Sequence, residues 1–263
     1  MPELENVGYS HEATISDIRK YYQYLVSMYL DDSMVVEPPE GGWPHITTET
    51  AKDLGKSDEV IKLLRHLPYI CRPDDGRDMA QGVPGGYFAD WAAEIKIAGE
   101  ERNGFKIVRQ LSESSSLAGK VPPHVIGLTM GARDTPIFLL DTELGVVYWY
   151  ECPGEIRHDS EYEQIEDDPY DYAPEEEAEW RAEGGNWAIP DFFEELKAHF
   201  RELHFVPVNS REVKDIWTIF HPSEKASLEM IRGIYREHHW PDLKKFDKSK
   251  CQQALQAAFP DNF

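Results

Sequence analysis

Residues 12–31, EATISDIRKYYQYLVSMYLD, set Ile15, Ile18, Tyr22, Leu25, Val26 and Tyr29 at spacings of three and four. That period puts the apolar side chains on one face of a helix, with Thr14 or Ser16 placed to cap it. PPEGG at 38–42 breaks the chain. DEVIKLLRHLPYI at 58–70 then starts a second helix, which must stop before Pro68 because proline disfavours helical backbone in the preceding residue. A Gly/Pro-rich stretch covers 76–91, and after it the period shortens. FKIVRQL (105–111) and VIGLTMG (125–131) read as short strands. IFLLDTELGVVYWYE (137–151) reads as two apolar strands joined through Asp141–Gly145, a hairpin with a glycine-containing turn.

From residue 190 the helical period returns. PDFFEELKAHFREL (190–203) lines up Phe192, Leu196, Phe200 and Leu203, with Asp191 and Glu194 spaced as a capping box. NSREVKDIWTIF (209–220) sets Val213, Ile216, Trp217 and Phe220 on one helical face. SEKASLEMIRGIYREHH (223–239) does the same with Leu228, Ile231 and Tyr235, and KSKCQQALQAAF (248–259) with Cys251, Leu255 and Phe259. The pattern predicts a single α+β domain over residues 1–263: a central antiparallel sheet, flanking helices and a helical C-terminal third.

Charge changes one part of this picture. The chain carries a formal charge of −22, and residues 155–183 hold 13 Asp and Glu against two Arg. With few aliphatics and repeated Pro and Tyr, the stretch 155–186 reads as a flexible acidic insertion, either a solvated loop or a docking tail for a basic partner. So acidic a chain is not expected to bind nucleic acid through phosphate contacts, and an electrostatically steered protein partner should present a basic surface. No window approaches the roughly 18 apolar residues of a membrane span, and no secretory signal is expected at the N-terminus. Cys71, Cys152 and Cys251 are odd in number and far apart, which fits a reducing, cytoplasmic setting.

Local motifs for catalysis are sparse. GxGxxG, GxxxxGK[ST] and GxSxG are absent, and Ser114–Ser116 read as a turn, since no base can be named beside them. DDGRD (74–78) and DDPYD (167–171) lack the downstream glutamate of a calcium loop. His199 and His204 are five apart and do not share a helical face. In IYREHHWPDL (234–243), His238 and His239 diverge by about 100° on a helix, so they mark its last turn more readily than a metal site. No metal and no cofactor are expected.

The tryptophans say more. GGWPHI (41–46) and HHWPDL (238–243) each set a Trp before a Pro at a break between elements, an arrangement that pins a loop to a core. The other use of such rings is a binding groove floored by Trp43, Trp91, Trp149 and Trp240. GGWPHI, EVIKLLRHLPYI, FLLDTELGVVYWY and IYREHHWPDLKKF together resemble cytosolic proteins of filamentous fungi. More distantly, the N-terminal helix, aromatic hairpin and acidic insertion are similar to the SUKH superfamily of fungal cell-wall synthesis regulators and bacterial immunity proteins. That resemblance implies an α+β fold without a catalytic constellation, working by binding other proteins. The expected function is therefore a non-enzymatic intracellular binding or regulatory module. The alternative is a metal-dependent hydrolase that assembles His45, His124, His221, His238 and His239, and a third reading is polyanion mimicry by the acidic tract.

Overall fold

The hairpin expected at 137–151 lies at the centre of an α+β fold, seen in a computed structural model that describes residues 2–72, 79–131 and 133–260. The first half contains α1 (His11–Met28), β1 (Val35–Val36), α2 (Asp58–His66), β2 (Tyr69–Ile70), β3 (Tyr87–Phe88), α3 (Trp91–Glu100) and α4 (Gly104–Glu113). Then come β4 (Val125–Gly127), β5 (Thr129–Met130), β6 (Ile137–Asp141) and β7 (Val146–Tyr150). The acidic tract carries α5 (Gly154–His158), α6 (Pro169–Tyr172) and α7 (Glu175–Ala182). The chain ends with β8 (Gly185–Ala188), α8 (Ile189–Arg201), β9 (Phe205–Pro207), β10 (Val213–Asp215), α9 (Pro222–Glu237) and α10 (Lys248–Ala258).

Four antiparallel strands form the main sheet in the order β4-β6-β7-β8, with Leu139 opposite Tyr148 in the hairpin. The pairs β1–β2, β3–β5 and β9–β10 make small antiparallel ribbons. Every residue of β7 is buried, so both faces of the sheet are covered. Phe138, Leu140, Val147 and Trp149 enter the larger core with α1 and α8, where the Phe138 ring meets Trp149 and Phe192 edge-on at 4.8 and 4.9 Å. Leu139, Val146, Tyr148 and Tyr150 point the other way, into a smaller core with Leu117, Val121, Ile165 and Trp180. Alternate residues thus serve opposite cores, the period of two that a strand imposes. The turn is fixed by Asp141, whose Oδ1 accepts the N–H groups of Glu143 and Leu144 at 2.8 and 2.9 Å. Gly145 closes it at φ +74°, where a Cβ would stand 2.5 Å from the carbonyl carbon of Gly8.

Several local expectations need correction. Residues 105–111 are helical in α4, with Phe105 and Val108 buried. A stretch of seven residues is too short for its pattern to separate a strand from a helix. Residues 209–220 form β10 and two turns in place of a helix. Asn209 Oδ1 accepts from Arg211 and Glu212, and Asp215 Oδ1 accepts from Trp217 and Thr218, so side-chain acceptors take the N–H groups a helix would have used. Ser10 caps α1 in place of Thr14 or Ser16, and α8 begins at Ile189–Pro190 without a side-chain cap. Glu194 pairs with Lys197 at 2.7 Å and not with the helix start. The acidic tract, expected to be flexible, forms three short helices and buries Ile156, Ile165, Trp180 and Arg181. Among the described residues no helix is long and apolar enough to cross a membrane.

Candidate functional site

The four tryptophans singled out by sequence do not floor one groove. Trp91 is buried and donates its indole N–H to Gly127 O at 3.1 Å. Trp43 and Trp240, the two Trp-Pro residues, play matching parts. Trp43 Nε1 donates to Leu67 O, at the C-cap of α2, and Trp240 Nε1 donates to Phe200 O, in the last turn of α8, each at 2.9 Å. Both indoles satisfy carbonyls that a helix end leaves without an intrahelical partner. The Trp240–Pro241 peptide is cis. Trp149 lines a sizeable surface groove.

The histidines of the enzymatic alternative are dispersed. His45 Nε2 lies 2.7 Å from Ala92 O, while His124 sits between Asp141 and Glu143 at 3.6 and 3.5 Å. His221 precedes α9 and His238 follows it, about 26 Å apart along the helix axis. His239 adopts φ +71° and ends α9 in a Schellman closure: its N–H bonds Arg236 O, and that of Trp240 bonds Tyr235 O. Among the described residues no three His, Cys, Asp or Glu side chains converge as a metal would require. Residues 74–78 lie outside the described residues; in 167–171, Asp167 accepts from Leu4 N and Asp168 from Tyr170 N. Burial pushes the Cys152 and Cys251 thiols up to about 12, far from nucleophilic thiolates.

The groove opens where β6 begins and β7 ends, with a volume of about 500 Å³. Trp149, Tyr150, Phe205, Trp217, Phe220 and Ile137 supply its apolar lining. Asp134, Glu151, Glu155 and Asp215 line it as well, against the single cation Arg133. Phe220 is 83% exposed, a large ring left in water beside an aromatic hollow. Two lining residues hold left-handed backbone despite carrying side chains, Ser114 at φ +70° and Glu151 at φ +52°. Such strain persists where surrounding structure enforces it and gathers at ligand sites. The Ser114 hydroxyl lies 2.8 Å from Ser116 Oγ, which lies 3.5 Å from Tyr150 OH.

Behind the groove stands a cluster the sequence did not reveal. The α8 end is a second Schellman closure, with Leu203 at φ +57° and His204 N–H donating to His199 O at 2.8 Å. A separation of five is the spacing this closure pairs, so the rings of His199 and His204 meet at 5.8 Å. Trp217 packs on both, at 5.7 and 5.2 Å. Glu195, one turn before His199, is buried with its carboxylate 3.0 Å from His199 Nε2. Burial would raise the Glu195 carboxyl, but contacts from His199, Tyr162 N–H and Ser160 outweigh it and hold it below the usual range. The turn-forming Asp215-x-Trp217-Thr218 pattern was the available signal for Trp217 and Phe220.

Burial, and next the neighbouring His199, lower the His204 pKa, while Glu202, Arg232 and Asp159 add smaller effects of mixed sign. His11 is lowered as well, by burial and then by Lys62. The unfolded chain therefore takes up these protons first as pH falls, and stability declines from about pH 6.5 downward. Thermal melts should show Tm dropping between about pH 7 and 5, and His204→Gln should flatten that slope. An unchanged slope in the variant would contradict the assignment.

Comparison of the chain with protein-family models, curated proteins and solved structures gives no match.

Proposed function

We propose that the protein is a non-catalytic binding module that takes a segment of a partner protein into the groove at the open end of β6 and β7. The supporting observation is the exposed Phe220 set beside Trp217 and Trp149 in a hollow of about 500 Å³. Large exposed aromatic anchors beside a hollow suit recognition of a partner. With a formal charge of −22, the partner of such a module carries a basic surface and is not nucleic acid. Cys71, Cys152 and Cys251 are all free, in keeping with residence in the cytoplasm. The same class of activity is what the SUKH resemblance implies.

Selection from a random-sequence peptide library against the full chain is the test. Phe220→Ala is expected to weaken the selected peptides about tenfold, roughly 1.4 kcal/mol. Its Tm should stay unchanged, because the ring is 83% exposed and contributes little to the core. A library that returns no binder, or binders indifferent to Phe220→Ala, overturns this reading.

A further inference from the structure

We infer that the groove selects a partner segment through an arginine side chain, laid along the Trp217–Phe220 rim and facing Asp215 and Glu151. The inference rests on the groove being the binding site and adds the chemistry of its occupant. Charge complementarity is the first argument: four carboxylates and one arginine line the hollow. Asp215 is held rigidly, with Oδ1 accepting from Trp217 N and Thr218 N at 2.7 and 2.6 Å and Oδ2 from Thr218 Oγ1 at 2.8 Å. Those donors fix the carboxylate without neutralising it.

Asp134, Glu151 and Glu155 make no ion pair with any cation among the described residues. Elsewhere many acids do find such a partner, Glu113 with Lys56 and Glu194 with Lys197 among them. The aromatic lining is the second and independent argument. A guanidinium stacks flat on an aromatic ring while its edge donates to carboxylates, and it is more weakly hydrated than an ammonium. Arginine therefore matches both halves of the surface at once, where a purely apolar side chain would leave the carboxylates unused.

The test uses N-acetyl-argininamide and its neutral isostere N-acetyl-citrullinamide, titrated into the full chain while the tryptophan indole N–H resonances are followed by NMR. The arginine compound is expected to shift the Trp217 resonance, with citrulline shifting it at least about fivefold less at equal concentration. The double variant Glu151→Gln with Glu155→Gln should raise the arginine Kd about threefold, and added salt should remove that difference. Equal shifts from the two compounds, or none from arginine, overturn the inference. If library peptides remain sensitive to Phe220→Ala in that case, the groove stands as the binding site and only its preference for a cation falls. If they do not, the groove falls as well.

Discussion

Asp141→Ala is expected to destabilise the protein by about 3–5 kcal/mol, read as a lower urea midpoint at nearly constant m-value. Asp141 is fully buried at the end of β6, and its Oδ2 lies 2.8 Å from Arg181 Nη1. Arg181 is buried too. Its second nitrogen reaches Glu177 at 2.9 Å, and its guanidinium lies 4.9 and 4.7 Å from the rings of Tyr148 and Trp180. Removing the carboxylate leaves that cation without its fully buried counter-charge, with the partly exposed Glu177 beside it, a larger penalty than the net value of the pair itself. The same substitution removes the acceptor for two N–H groups of the hairpin turn. Asp141→Asn keeps an acceptor in the turn, and combining it with Arg181→Met removes the stranded charge, so the double variant should be more stable than Asp141→Ala. A loss below about 1 kcal/mol for Asp141→Ala would refute the argument.

Trp240→Ala should cost a similar amount, about 3–5 kcal/mol, because it empties a large buried site. The indole is packed by Tyr24, Tyr235 and Phe246 at 5.8, 6.4 and 5.0 Å and donates to Phe200 O. Trp240→Phe retains most of that packing and loses the hydrogen bond, so it should cost nearer 1–2 kcal/mol. Comparable losses for the two variants in chemical denaturation would show that the hydrogen bond, not the packing, dominates. Trp43→Ala should be milder, since Trp43 is only half-buried.

Elements with one strong period were legible. The stripe of α1, the termination of α2 before Pro68, the hairpin and the α9 and α10 helices follow from spacing alone. Trp240 as a buried anchor and the histidine pair as a helix end were legible for the same reason. The groove was not, because Trp217 and Phe220 sit at spacings that also suit a helix, and Asp215 decides against one only by bonding its own following backbone. The His199–His204 contact was hidden by a different device. Leu203 occupies the left-handed position at the end of α8 where glycine is the usual marker, so that closure did not announce itself. β7 hid its two-sidedness, since VVYWY is apolar at every position and alternation cannot be seen.

That two-sidedness alters how the acidic tract can be probed. Ile165 and Trp180 close the smaller core over Leu139, Val146 and Tyr148, and Arg181 reaches in to Asp141. The tract is thus a roof on the sheet whose outer slope carries the charge. Cutting out residues 155–183 would unroof a hydrophobic surface, and any new adhesion seen afterwards would report the bared sheet and say nothing of lost charge. Glu175 and Glu176 stand on the outer slope, exposed, so changing them to glutamine alters the potential while leaving the roof in place.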